Sequence, residues 1–185
     1  MTKVPPPSPP GRPGRRRVAV KLFISYSHQN RVWMERLAPL LDGFKYDDRL
    51  TKSSTGLDYV HPWHDNELPV GNPWDGEIKR ELEEMDIFVP LVSAHFFASW
   101  YIQNVELKRA RERHEAGEIL VVPVLLYDVN LREKCFFLHG FKTFPEGGRW
   151  WSSYQDPCDA HRSIDDGLWV AIQAAQQRKA TKPGR

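Results

Sequence analysis

The chain has 185 residues, a hydrophobic content of 41% and a formal net charge of +2. This length suits one domain that folds without disulfides or metal, and no stretch approaches the roughly 20 apolar residues of a membrane span. The cysteines, Cys135 and Cys158, form no CxxC motif, and the N-terminus lacks the apolar segment of a signal peptide. We therefore expect a cytoplasmic protein that does not associate with membranes.

The positive charge is concentrated at the two ends of the chain. Residues 1–17 contain five basic residues and no acidic one, and residues 178–185 contain four basic residues. Because these ends contribute +9 to a total of +2, residues 18–177 carry a net charge of −7. An acidic domain is a poor candidate for nucleic-acid binding, and only the basic leader would contact nucleic acid, weakly. We predict a disordered Pro/Arg-rich leader at 1–17, a folded domain at 18–177 and a basic tail at 178–185.

The first half of the domain alternates between strand and helix patterns. The apolar run VAVKLFISYS predicts a buried strand. A helix is expected next, with Asn30 as its N-cap, a kink or broken turn at Pro39 and its end at Gly43. A polar loop separates it from a short strand, YVHPW, and a second helix, NPWDGEIKRELEEMD, whose Asn-Pro pair suits a helix start.

The second half continues the alternation. IFVPLVS predicts the third strand, AHFFASWYIQNVELKRARERHEAG one long helical segment, and EILVVPVLLYD the fourth strand. A short helix, an edge strand or loop at GGRWWSSY, and a closing helix complete the domain. This order predicts an α/β fold: a flavodoxin-like, doubly wound parallel five-stranded sheet in the order 2-1-3-4-5, with helices on both faces.

In such a sheet, ligands bind where the winding reverses, at the carboxyl ends of strands one and three. Residues 25–30 and 93–100 should therefore face each other across a crevice, with the loop 64–74 alongside. The chain has no GxGxxG, GxxxxGKS or GxSxG motif, and no acidic pair follows the first strand to hold magnesium. His61 and His64 point to opposite faces of a strand, so we predict no metal site.

Four motifs resemble a known family when they are taken in order. They are FISYS, a D-x-x-L-x-x-G loop from Asp65 to Gly71, DIFVPLVS, and SWYIQNVEL. Over residues 18–177 the chain resembles the TIR domain (Toll/interleukin-1 receptor domain), especially the bacterial type. The resemblance implies one of two activities. Many bacterial and plant members cleave the nicotinamide-ribose bond of NAD, whereas many animal members are assembly modules without chemistry.

The resemblance also implies roles for individual residues. Enzymatic members carry a catalytic glutamate early in the helix after the third strand, and Glu106, followed by Leu107, occupies that place. In many members the acid follows the aromatic residue by four positions, whereas Glu106 follows Tyr101 by five. An irregular helical turn would restore its direction, and a regular helix would turn it by about 100°. The expected substrate-binding residues are Ser25, Tyr26, Ser27, Asp65, Ser99, Trp100 and Tyr101.

The resemblance therefore implies a hydrolase or cyclase (an NAD+ nucleosidase or ADP-ribosyl cyclase) that uses NAD as its substrate and needs no cofactor. It implies activation by self-association through TIR-TIR contacts, in antiphage (antiviral) defence or stress signalling. A separate sensor or effector protein is an expected partner. The alternative is a non-catalytic module for protein interaction and signal transduction, and a secreted effector that acts on host TIR signalling is a weaker one.

Overall fold

The computed structural model describes residues 19–45, 60–64 and 74–181. These residues form a parallel sheet in which β1 lies between β2 and β3, in the order β2-β1-β3-β4, and β5 also pairs with β3. Helices cover both faces, which confirms the predicted α/β doubly wound fold. The strands are β1 (Val20–Ser25), β2 (Val60–Trp63), β3 (Ile87–Val92), β4 (Leu120–Val121) and β5 (Val124–Leu125).

The helices alternate with the strands, as the sequence pattern predicts. Short 3-10 turns precede α1 and α7, and a π-helix (Ile102–Glu106) leads directly into α4. The helices are α1 (Arg31–Lys45), α2 (Trp74–Glu84), α3 (Ala94–Ala98), α4 (Leu107–Glu115), α5 (Leu131–Lys134), α6 (Phe136–His139) and α7 (Cys158–Thr181). Among the described residues, none of these helices is long and apolar enough to cross a membrane.

The predicted fourth strand is divided into β4 and β5 by Pro123. Proline has no N–H to donate to a neighbouring strand, so the ladder is interrupted at this residue. The chain nevertheless stays beside β3, since Val122 and Leu126 donate their N–H groups to β3 carbonyls, each at 2.9 Å. Beyond it, Phe144 forms a single parallel bridge with Val124. GGRWWSSY, predicted as an edge strand or loop, instead contains the 3-10 turn Trp151–Ser153.

The sheet separates two apolar clusters because successive side chains of a strand point to opposite faces. Leu22 and Ile24 of β1 pack with α1 and α7 on one face, around the fully buried ring of Trp151. Phe23 of β1 packs on the other face, with α2, α3, the π-helix and α4. Each face of the sheet is thus closed by helices, which leaves the strand ends as the accessible edges.

Helix α1 differs from its predicted bounds. It continues through Pro39 and Gly43 to Lys45, and a 3-10 turn precedes it where Asn30 was expected to cap. The reason for the longer helix lies in its apolar stripe: Phe44 is 3% exposed and extends the series of Leu37 and Leu41 at helical spacing. Burial of that ring therefore outweighs the low helix propensity of the preceding glycine.

Ion pairs hold the last helix against the amino ends of the strands. The Lys179 ammonium lies 2.5 Å from an Asp86 carboxylate oxygen and donates to the Ala19 carbonyl, also at 2.5 Å. Asp86 in turn accepts from the Lys21 backbone N–H at 2.8 Å. Helix α7 thus extends into the segment predicted as the basic tail, to Thr181, whereas the leader 1–17 lies outside the described residues.

Candidate functional site

The carboxyl ends of β1 and β3 lie side by side, where the sequence predicts a ligand crevice. Ser25, the last residue of β1, is in register with Pro90 of β3. Beyond these strand ends, the Ser93 hydroxyl donates to the Asn30 side-chain oxygen at 2.6 Å, and both residues are buried. The structure therefore brings residues 25–30 and 93–100 together, as the predicted topology requires.

The helical segment after β3 is broken at Ser99, where one long helix was predicted. Ser99 has extended backbone angles (φ −79°, ψ 116°), so α3 ends there after five residues. A serine caps the first turn of each of the two helical segments. The Ser93 hydroxyl accepts from the Phe96 N–H at 3.0 Å, and the Ser99 hydroxyl accepts from the Ile102 N–H at 3.4 Å. Serine is a favoured N-cap residue, so a sequence signal for the second start exists.

A π-helix follows this second start and carries the candidate acid. The Leu107 N–H donates to the Ile102 carbonyl, five residues earlier, which is the hydrogen-bond step of a π-helix. Such a turn holds one more residue than an α-helical turn. The Asn104 side chain also donates to the Trp100 carbonyl at 2.8 Å, which gives that carbonyl a partner within the widened turn. This is the irregular turn that the spacing of Glu106 requires.

Glu106 is turned inward, toward the end of β1. Its side chain is 8% exposed, and a carboxylate oxygen accepts a short hydrogen bond from the Ser25 hydroxyl. Ser25 follows Phe23 by two residues, so it projects from the sheet face that the π-helix covers. Buried carboxylates are uncommon in cores unless hydrogen bonds hold them, and the strand end supplies such a bond.

Tyr101 is anchored at the start of the same segment. Its hydroxyl donates to an Asp75 carboxylate oxygen of α2 at 2.9 Å. Partial burial raises the pKa of Tyr101, and the Asp75 hydrogen bond and the charges of Asp75 and Glu106 raise it further. The pKa of Asp75 is lowered by hydrogen bonds from Lys79 and Tyr101. The phenol is thus held as a neutral donor that ties the π-helix to α2.

The other predicted binding residues are more dispersed. Tyr26 is 6% exposed and belongs to the apolar cluster on the opposite face of the sheet, and Ser27 sits in extended conformation before the 3-10 turn. Trp100 is 71% exposed, and Ser99 acts as an N-cap. Asp65 lies outside the described residues. Of this predicted set, Ser25 donates a hydrogen bond to Glu106.

The structure also reveals a polar pair that the sequence did not assign to the site, Asn30 and Ser93. Asn30 is 2% exposed and Ser93 is fully buried. Their hydrogen bond joins the turn after β1 to the turn after β3, and Ser93 simultaneously caps α3. A serine directly after a buried strand and before an apolar helix was the available signal for that cap. The pair fixes the separation of the two segments that border the crevice.

Comparison with known proteins agrees with this architecture. The family model described as TIR domain matches residues 22–140, which is more than half of the chain. The chain therefore belongs to the TIR domain family. The matched range begins in β1, includes Glu106 and ends after α6.

Two individual proteins illustrate the range of the similarity. The uncharacterized protein y4lF of Sinorhizobium fredii (strain NBRC 101917 / NGR234) is 32% identical over 105 residues. That match covers 57% of this chain and 29% of the relative, so this chain spans less than a third of the relative's length. The TIR domains of the activated Roq1 resistosome, which directly recognizes the pathogen effector XopQ, match at 19% identity with a TM-score of 0.44. That alignment covers 90% of this chain and 86% of the other.

Proposed function

We propose that this TIR domain cleaves the nicotinamide-ribose bond of NAD, with Glu106 as its catalytic residue. The observation that carries the proposal is the buried contact between Glu106 and Ser25 at the carboxyl end of β1. This position is where open α/β sheets bind their ligands. The π-helix supports the proposal as well, because it turns the acid toward the crevice despite its unusual spacing from Tyr101.

One carboxylate is sufficient for this reaction. When the bond between the ribose anomeric carbon and the nicotinamide nitrogen breaks, the electron pair goes to that positively charged nitrogen. Nicotinamide then leaves as a neutral molecule, so it needs no proton from the protein. Glycoside hydrolysis differs, because there a second carboxyl group protonates the leaving oxygen.

Glu106 would stabilise the positive charge that develops on the ribose as the bond breaks. A carboxylate held in a partly buried position interacts strongly with a nearby cation, and it needs little rearrangement because Ser25 already orients it. Water would then add to the anomeric carbon and release a proton, which gives ADP-ribose. If a nitrogen of the adenine adds instead, the product is a cyclic ADP-ribose, which contains one molecule of water less than ADP-ribose. The two outcomes differ only in which nucleophile lies closer.

The decisive experiment compares two glutamates of the same helical segment. Wild-type protein at high concentration is incubated with NAD, and nicotinamide release is followed by chromatography. Glu106→Gln keeps a hydrogen-bond acceptor for Ser25 but removes the negative charge, so we expect release to fall by about 100-fold or more. Glu112→Gln is the matched control, because Glu112 lies on α4 and forms an exposed ion pair with Arg109 at 3.1 Å.

The expected result is loss of release in Glu106→Gln and near wild-type release in Glu112→Gln. Equal release by all three proteins would contradict the role of Glu106. If wild-type protein releases no nicotinamide even when it is self-associated, the alternative applies, and the domain acts as a non-catalytic module for protein interaction. Circular dichroism of each variant establishes that it is folded.

The biological setting that we propose is bacterial antiphage defence or stress signalling in the cytoplasm. Depletion of NAD, or a product derived from it, would be the signal. We propose that self-association through TIR-TIR contacts controls the activity, and that a separate sensor or effector protein is the partner. To test this link, nicotinamide release is measured at several protein concentrations while light scattering reports the size of the assembly. If self-association activates the domain, release should rise more steeply than in proportion to protein concentration.

A further inference from the structure

A groove lies beside the π-helix, between α4 and the short helix α6. Its volume is about 740 Å³, which is within the range of small-molecule sites. Residues of the π-helix, α4 and α6 line it, among them Gln103, Lys108, Arg111, His114, Phe136 and Phe137. We propose that this groove binds a planar aromatic molecule that carries an anionic group. The site is separate from the Ser25–Glu106 contact, and its binding does not depend on NAD cleavage.

Aromatic side chains account for the planar part of the ligand. The rings of His114 and Phe141 are 4.8 Å apart in an edge arrangement, and those of Phe137 and Phe141 are 5.1 Å apart. Phe136 is 79% exposed, an unusual position for a phenylalanine in a folded domain. Rings at the wall and rim of a groove provide faces and edges on which a flat aromatic molecule can stack.

Lys108 provides the positive charge that would bind the anionic group of the ligand. Three charged side chains line the groove, and two of them, Arg111 and Glu115, neutralise each other in an ion pair at 2.8 Å. Within the described residues Lys108 forms no ion pair and no side-chain hydrogen bond, so its charge gives the groove a net positive potential. The apolar wall lowers the local dielectric, which strengthens the attraction between this ammonium and an anion.

Gln103 supplies a further polar contact. Its side-chain nitrogen is buried and has no hydrogen-bond partner among the described residues. The same side chain lines both the groove and an adjoining cavity of about 430 Å³ near α5. A buried donor without a partner is unfavourable, so a ligand that offers an acceptor oxygen there would relieve this cost. Gln103 belongs to the π-helix, which is also the segment that positions Glu106.

The test uses 8-anilinonaphthalene-1-sulfonate, an aromatic anion whose fluorescence rises on binding, with the full-length protein. Lys108→Glu reverses the charge at the groove, and Phe136→Ala removes an exposed ring that contributes little to the core. We expect each variant to weaken binding by about fivefold to tenfold. The matched controls are Arg162→Glu, an exposed basic residue of α7, and Val32→Ala, an exposed apolar residue of α1, and both should bind like wild type.

Competition separates the two sources of such a ligand. Displacement of the dye by AMP from wild type but not from Lys108→Glu would identify an aromatic base with a phosphate, and the same pattern with salicylate would identify an aromatic carboxylate. Either result supports the proposal, whereas displacement by neither overturns it. Equal dye affinity of wild type, Lys108→Glu and Phe136→Ala would also overturn it. Because the dye assay contains no NAD, these outcomes are independent of whether the domain releases nicotinamide.

Discussion

The two edges of the sheet use polar residues in opposite ways. At the amino edge, opposite charges compensate each other: Lys179 pairs with Asp86, and Lys21 pairs with Glu84. At the carboxyl edge, hydroxyl and amide groups predominate, as in the contacts of Ser25 with Glu106 and of Ser93 with Asn30. Ion pairs hold elements together, whereas a hydroxyl orients an acid without adding a formal charge. We therefore propose that the amino edge stabilises the fold and that the carboxyl edge binds the ligand.

Changing the length of the π-helix is the strongest way to test this division. Insertion of one alanine after Asn104 adds a second extra residue and would rotate Glu106 by about 100°, so nicotinamide release should fall by about 100-fold. Deletion of Asn104 should convert the π-helix into a regular α-helix and keep the acid aimed at Ser25. Release should then stay within about threefold of wild type.

Circular dichroism and thermal unfolding establish whether both length variants fold. Comparable release by the insertion and the deletion variants would mean that the direction of Glu106 does not determine the activity.

The next largest effect is expected for Ser25→Ala, because this substitution removes the hydroxyl that orients Glu106. A hydrogen bond to a charged group contributes about 1.5–3 kcal/mol, so nicotinamide release should fall by roughly tenfold or more. Ser27→Ala is the comparison variant: Ser27, the other serine expected at the substrate, follows the same strand, and its hydroxyl makes no capping hydrogen bond in the structure. A similar loss in both variants would show that the strand end as a whole, rather than the contact with Glu106, is needed.

At the amino edge we expect an effect on stability without an effect on activity. Lys179→Met removes the ion-pair partner of Asp86 but leaves the hydrogen bond from the Lys21 N–H. It should lower the free energy of unfolding by about 1 kcal/mol, measured by urea denaturation. Lys142→Met serves as the control, since the pair of Lys142 with Glu146 is more exposed and should contribute less than about 0.5 kcal/mol. A clear loss of nicotinamide release in Lys179→Met would break the division between the two edges.

The smallest effect concerns the pH dependence of the Tyr101–Asp75 bond. The folded-state pKa of Tyr101 is raised, so the contribution of its protonated hydroxyl to stability is complete below the ordinary tyrosine pKa of about 10. This contribution is lost as the pH rises through the raised pKa. The folded-state pKa of Asp75 is lowered, so the contribution of its carboxylate to stability is complete above the ordinary aspartate pKa. This contribution is lost as the pH falls below the ordinary aspartate range. The bond should therefore hold throughout the neutral range.

Absorbance at 295 nm measures the ionisation of this tyrosine. Near pH 10 the curves of wild type and Tyr101→Phe should nearly coincide, because the raised pKa keeps the Tyr101 hydroxyl protonated above the ordinary tyrosine range. In Asp75→Asn the tyrosine should ionise at lower pH than in wild type, since a hydrogen-bonded negative charge has been removed. A difference between wild type and Tyr101→Phe near pH 10 would contradict the raised pKa.

The sheet could be predicted because its strands have strong, simple patterns. β3 is a continuous apolar run, and β1 is apolar apart from Lys21 and its terminal Ser25, which is typical of strands buried on both faces. The alternation of these strands with helices determined the fold class. The bounds of α1 were less predictable. Gly43 resembles a helix end, but the burial of Phe44 one residue later decides the outcome, and burial depends on tertiary packing.

The candidate site was predictable in its location but not in its details. The topology placed Glu106 and Ser25 at one edge, and the family resemblance singled out the acid. The contact between them depends on the π-helix, which lies between the Ser99 cap and α4. No residue pattern in the sequence predicts a π-helix at this position. Residues 25–30 and 93–100 were expected to face each other, but the pair of Asn30 and Ser93 was missed because Asn30 was interpreted as a helix cap.

The π-helix has a consequence for how such proteins are found. A sequence motif written with a fixed interval between the aromatic residue and the acid would reject this chain, because the interval is one residue longer. In three dimensions the extra residue is absorbed within five positions, Ile102–Glu106, and the regular helix resumes at Leu107. The direction in which the acid points is therefore the feature to compare between relatives. Searches that allow one inserted residue between the aromatic residue and the acid would find family members that a fixed spacing excludes.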